Sequence, residues 1–170
     1  MDPVAEGEFR QWATARQAVL FRAALLLTGH RQDAEDLVQA ALARVALHWG
    51  RLARSGSPDG YARKIMYHQL VSWRRLARHR REYSAAAVPD FAGRDLAADT
   101  TLRLALAQAL RRLTAKQRAV IVLRFYCDLA ESEVAEILSC SVGTVRSQTH
   151  RSLARLRQLC PELSDILEAV

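Results

Sequence analysis

An all-α chain is predicted, with an N-terminal helical bundle and a C-terminal helix-turn-helix domain joined by a flexible linker. Three observations predict it. Alanine, leucine and arginine dominate, only 6% of residues are aromatic and 50% are hydrophobic; this balance favours helix and suffices for a core. Apolar residues recur at three- and four-residue steps on both sides of residues 84–100. Within 84–100 the periodicity is lost, and small residues, Pro89, Gly93 and three aspartates mark a linker. The chain therefore reads as 1–83, 84–100 and 101–170. Fully extended, the 17 residues of the linker reach about 55 to 60 Å, the length of roughly 16 to 18 base pairs.

Residues 8–28 carry Phe9, Trp12, Val19, Leu20, Ala23, Leu26 and Leu27 on a helical stripe, and Gly29 is placed to end the helix in a left-handed cap. Residues 31–48 make a second helix with Leu37, Ala41, Leu42 and Val45 as its core stripe. Asp33, Glu35 and Asp36 lie in its first turns, where negative side chains suit the helix dipole. The same cluster offers a docking surface to a basic partner. Residues 49–60, WGRLARSGSPDG, read as a loop made basic by Arg51 and Arg54, with Trp49 at its start. Ser57 is placed as the next N-cap and Pro58 as the first helical residue.

The helix that follows, 61–81, holds Arg63, Lys64, Arg74, Arg75, Arg78, Arg80 and Arg81 and no acidic residue. Arg63, Tyr67, Arg74, Arg78 and Arg81 fall within roughly 60° of one another at helical spacing. Ala62, Ile65, Met66, Leu70, Trp73, Leu76 and Ala77 fill the other side. A basic face with interleaved aromatics attracts phosphates and stacks unpaired bases; the plainer alternative is a solvated face on a bundle helix.

Beyond the linker, helices are predicted at 101–112 and 115–126, separated by Leu113 and Thr114, with Thr114 as N-cap. Two more follow at 131–138 and 142–158, joined by a tight turn at Ser139, Cys140 and Ser141. Two short helices around such a turn, the second rich in Arg, Ser, Thr and Gln, form a helix-turn-helix signature. Val142, Val145, Leu153, Leu156 and Leu159 share one side of the last helix; Thr144, Ser147, Gln148, Arg151 and Arg155 point away from it. Side chains near the N-terminus of such a helix reach base edges, and arginines further along reach phosphate.

Net charge is +7, and the pI is near 10.0. Residues 1–84 hold 14 basic and 8 acidic residues, 85–100 one basic and three acidic, and 101–170 ten basic and seven acidic. Two polyanion contacts joined by a segment that is not one fit this pattern. The odd, widely spaced Cys127, Cys140 and Cys160 exclude a disulfide framework and match no zinc-finger spacing. No Gly-rich phosphate loop, H-x-x-x-H or carboxylate pair in a plausible cleft is present, so no enzyme, catalytic residue, metal or cofactor is expected. The N-terminus lacks the pattern of a signal peptide and no stretch approaches a membrane span, so a soluble cytoplasmic protein without membrane insertion is expected.

With these residues laid out, the chain resembles a two-domain sigma factor of the extracytoplasmic-function group over nearly its whole length. LLLTGHRQDAEDLVQAALARV (25–45) resembles sigma regions 2.1–2.2, with Asp33, Ala34, Asp36, Leu37, Val38 and Gln39 at its core; 58–81 resembles regions 2.3–2.4. LTAKQRAV (113–120), DLAESEVAEIL (128–138) and CSVGTVRS (140–147) resemble region 4. The resemblance implies that the second helix binds the β′ clamp helices of core RNA polymerase, with Asp33, Glu35, Asp36 and Gln39 as acceptors. It implies contact with the melted −10 element, for which Arg51, Arg54, Arg63, Lys64, Tyr67, Arg74, Arg75 and Arg78 are the candidates, loop 49–57 being a pocket for a flipped base. The recognition helix would enter the −35 major groove with Thr144, Arg146, Ser147, Gln148, His150, Arg151 and Arg155. The β flap and an anti-sigma factor are further implied partners. The sequence departs from the common pattern at His30, a weaker N-cap than the usual aspartate, at Gln148 in place of arginine, and at Ala130 in place of serine. No sensory module is expected after Val170. The alternative is a stand-alone helix-turn-helix regulator, which explains 101–170 only.

Overall fold

The computed structural model describes residues 2–81 and 100–161, with side chains over 2–76 and 104–161. The described residues are helical with no strand, in two compact units, Met1–Asp90 and Phe91–Val170. The expected linker lies outside the described residues up to position 99.

In the first unit, α1 (Pro3–Thr28) starts five residues earlier than its periodicity suggests. Asp2 is the reason: its carboxylate accepts from the Val4 and Ala5 amides at 3.0 and 2.9 Å, and Pro3 sits at the first helical position. Gly29 ends the helix at φ 82°, as expected. Leu20, Ala23, Ala24 and Leu27 pack with Ala34, Leu37, Val38, Ala41 and Val45 of α2 (Arg31–Leu47) as the core of the unit. Val19, expected on the core stripe, is 40% exposed.

The segment expected to be a loop is instead helical over α3 (Trp49–Ser55). Trp49 and Leu52, one turn apart, are buried. Trp49 meets Phe9 and Trp12 at ring distances of 5.6 Å each, so tertiary packing overrides the turn-like composition. Only Gly56 and Ser57 remain between helices, with Gly56 at φ 71°. α4 (Pro58–Arg81) begins where Ser57 and Pro58 place it, the Ser57 carbonyl accepting the Tyr61 amide at 3.1 Å. Ala62, Met66 and Leu70 are buried, but Leu76 is 58% exposed, so the apolar side is covered only as far as about Trp73; the side chain of Ala77 lies outside the described residues.

In the second unit, α5 (Thr100–Arg112) leads to α6 (Ala115–Ile121). Thr114 caps α6 in a reciprocal capping box with Gln117. The helix expected to run to 126 widens into a π-helical turn at Val122–Tyr126. The Cys127 amide donates to Val122 O at 2.9 Å, the spacing of a π turn, and Val122 and Leu123 are both buried, continuing the buried run of α6. α7 (Glu131–Leu138) and α8 (Val142–Leu159) follow, with Ser139 at φ 51° and the Ser141 hydroxyl capping α8 at the Thr144 amide. Val134, Ala135, Ile137 and Leu138 of α7 and Val145, Ser152 and Leu156 of α8 are buried in this helix-turn-helix.

Candidate polymerase and nucleic-acid surfaces

On the first unit, Glu35, Asp36 and Gln39 line a groove of about 650 Å³ between α1 and α2, together with Phe21 and Val38. Its rim is ordered by pairs one turn apart. Arg31 Nε donates to Glu35 at 2.8 Å, and the Gln32 amide donates to Asp36 at 3.3 Å. The Arg31 guanidinium sits 5.9 Å from the centre of the Phe21 ring. His30, at the N-cap, makes no side-chain capping hydrogen bond. Asp33 is not among the groove residues; its charge acts on Arg74 of α4. Burial lowers the Arg74 pKa from its usual value while Asp33 raises it, and a guanidinium stays protonated under both.

The basic surface spans α3 and α4. Arg51 and Arg54 are exposed, Arg63, Lys64, Tyr67 and Arg74 are half-buried, and Arg75 is exposed; the Arg78 side chain lies outside the described residues. The Tyr67 ring meets His68 edge-on at 5.7 Å, and Tyr61 meets His48 likewise at 5.8 Å. Arg16 of α1 pairs with Asp59 in the first turn of α4 at 3.2 Å.

On α8, Ser147, His150, Arg151 and Arg155 are exposed, and Thr144 and Gln148 are half-buried. Several of these polar groups already have partners. The Thr144 hydroxyl meets Ser141 Oγ at 2.9 Å, Ser147 Oγ donates to Thr144 O at 3.0 Å, and Arg155 donates to Gln158 at 3.1 Å. Arg146 Nε donates to Glu131 of α7 at 2.7 Å. Cys160 is buried, and Cys127 and Cys140 are half-buried. Among the described residues no three His, Cys, Asp or Glu side chains gather as a metal site, and no helix is long and apolar enough to cross a membrane.

Residues 8–82 match the family model for Sigma-70 region 2, and residues 103–156 match that for Sigma-70, region 4. The RNA polymerase sigma-E factor of Streptomyces avermitilis is 37% identical over 151 residues, covering 89% of this chain and 84% of that protein. The chain belongs to the sigma-70 family as an extracytoplasmic-function sigma factor. The ECF RNA polymerase sigma factor SigL of Mycobacterium tuberculosis is 32% identical over 150 residues, covering 86% of this chain and 85% of that protein. Two solved structures share the fold. The sigma factor RpoE of Bartonella quintana, in complex with the anti-sigma factor NepR, gives a TM-score of 0.77 at 23% identity over 89% of this chain and 96% of that one. CnrH, in complex with the cytosolic domain of CnrY, gives 0.63 at 22% identity over 94% and 91%.

An RNA polymerase sigma factor serves transcription initiation and is not an enzyme; this one binds DNA through its region 4 helix-turn-helix. The region 2 match sets aside the stand-alone regulator, which left 1–83 without a role. Three residues that build the sigma factor's surfaces were missed in its sequence. Arg118 is 5% exposed and donates to the carbonyls of Leu110, Arg111 and Leu113, closing the C-terminal end of α5. Glu131 holds Arg146, and Asp59 ties α4 to α1. For Arg118 a signal existed, since an arginine immediately before the apolar run AVIVL (119–123) is drawn into the core with it and then needs buried acceptors. The other two pair across 15 and 43 positions, Glu131 to Arg146 and Arg16 to Asp59, which no local pattern reveals.

Proposed function

We propose that this sigma factor docks core RNA polymerase through the α1–α2 groove and its acidic rim, holds the −10 element against α3 and α4, and reads the −35 element with α8. The observation that carries it is the gathering of Glu35, Asp36 and Gln39 around one groove with an apolar side, a shape and charge suited to a basic helical partner such as the β′ clamp. Exposed Arg51, Arg54 and Arg75 with the half-buried Arg63, Lys64, Tyr67 and Arg74 offer phosphate contacts and a ring for stacking. Ser147, His150 and Arg151 form the reading edge of α8, with Thr144, Gln148 and Arg155 beside it. The assignment divides the chain into 1–83, a linker at 84–100, and 101–170, the last also meeting the β flap. Action in the cytoplasm follows from these partners. An anti-sigma factor belongs among them, a reading supported by the solved relatives bound to NepR and CnrY.

The test is a pull-down with core polymerase followed by run-off transcription. Asp36→Lys with Gln39→Ala should abolish core binding with the helical spectrum intact; normal binding by that variant removes the groove from the docking surface. Asp33→Lys is a separate arm, because it also disturbs the field at Arg74. It should impair promoter opening as well as docking.

A further inference from the structure

The charge of α2 reverses along its length. Asp33, Glu35 and Asp36 open it, and no acidic residue occurs from Leu37 to Pro58. In that run α2 passes into α3 through His48, which ends one helix and begins the next. Val45, Trp49 and Leu52 turn inward and are buried. Arg44, Leu47, His48 and Arg51 turn outward and are exposed. Leu47 is 76% exposed, the most exposed large hydrophobic residue among the described residues. A leucine this open, with cations one turn to either side, is not covered by its own fold.

We infer that this elbow is a second single-stranded DNA contact, in which Leu47 presses against an unstacked base while Arg44 and Arg51 hold the flanking phosphates. It rests on the reading of α3 and α4 as the −10 surface and extends it by Arg44, Leu47 and His48. Three features favour nucleic acid over a protein occupant. A partner basic enough to seat against the acidic rim at the start of α2 is repelled by the arginines at its end. The elbow is continuous with Arg51 and Arg54 of the proposed −10 surface. Apolar side chains, leucine among them, serve as wedges that unstack a base step in other nucleic-acid-binding proteins. His48 is held edge-on to Tyr61 of α4, so the elbow and the basic helix are braced as one surface.

The experiment uses holoenzyme assembled from core polymerase and the full chain, with fork-junction promoter DNA carrying 2-aminopurine at successive non-template positions. Leu47→Ala should lower fork affinity about tenfold, in line with loss of the apolar contact of one leucine side chain, and remove the fluorescence change at one position while sparing the others. Arg44→Ala should flatten the salt dependence by about one counterion. Core binding should be unchanged in both. Loss of core binding instead assigns the elbow to the polymerase and overturns the inference, as does unchanged fork binding at every position. Arg63→Ala with Tyr67→Ala is the control for the underlying reading. If that pair is silent the −10 assignment fails, whereas a defect there with Leu47→Ala and Arg44→Ala silent sinks the elbow alone.

Discussion

Arg118 stabilises a junction by a route that charge alone does not suggest. Its guanidinium satisfies carbonyls at the end of α5, which a helix otherwise leaves to water. Arg118→Met keeps the bulk and deletes the donors. We expect it to cost about 1.5 to 3 kcal/mol, the range for hydrogen bonds to a charged group, measured by urea unfolding and by faster amide exchange in α5 and α6. On α8 the single-residue prediction concerns selectivity. Arg151→Ala should change discrimination among −35 sequences by about 1 to 3 kcal/mol if it reads a base, whereas a uniform loss across promoters makes it a phosphate contact. Arg146 differs, since its Nε is engaged by Glu131 and only the rest of its guanidinium is open to DNA. The outward set on α8 was legible because helical spacing alone sorts Ser147 and Arg151 from Val145 and Leu156. The partners of Arg146 and Arg118 were not, because they depend on which elements the fold brings together.

At the scale of elements, the helices with an uninterrupted apolar stripe, α2, α4, α7 and α8, were legible to within about three residues, near the usual ambiguity of helix ends. The misses have local causes. α3 carries the Gly/Ser/Pro cluster just beyond its end, and that cluster masked a seven-residue helix held by Trp49 and Leu52. The π turn is invisible to a pattern of period 3.6. Two substitutions test these ends. Gly56 adopts φ 71°, so Gly56→Ala should destabilise the first unit by about 1 kcal/mol. Ala130 occupies the N-cap of α7 with extended backbone and no side-chain acceptor, and Glu133 supplies only the return half of a capping box at 2.8 Å. Ala130→Ser should raise stability by about 0.5 to 2 kcal/mol. Thermal unfolding followed by circular dichroism checks both.

For the whole molecule, the existence of two units was legible from the loss of periodicity between them; the acidic middle lies outside the described residues. How the proposed polymerase and promoter surfaces are built was not legible, because they depend on a groove made by two helices and on the charge of Asp33 acting at Arg74, both of which cross the chain. The charge distribution makes a prediction of its own. Free in solution, the chain should bind duplex DNA weakly, with little sequence preference and a steep loss of affinity as salt rises. Promoter discrimination should appear only when core polymerase is added. Competition footprints at two salt concentrations, with and without core, measure this; tight, selective footprints by the chain alone would contradict it.

Under the proposed −10 role, the short helix α3 carries a consequence for the speed of promoter opening. A base pocket built on a mobile loop must be ordered as the DNA melts, at a cost of roughly 1 to 2 kcal/mol of backbone entropy per residue. Here Trp49, buried against Phe9 and Trp12, has met that cost during folding. On the proposed −10 surface the arginines of α3 are preorganised, so a melted strand bound there would meet a surface that does not have to be assembled around it.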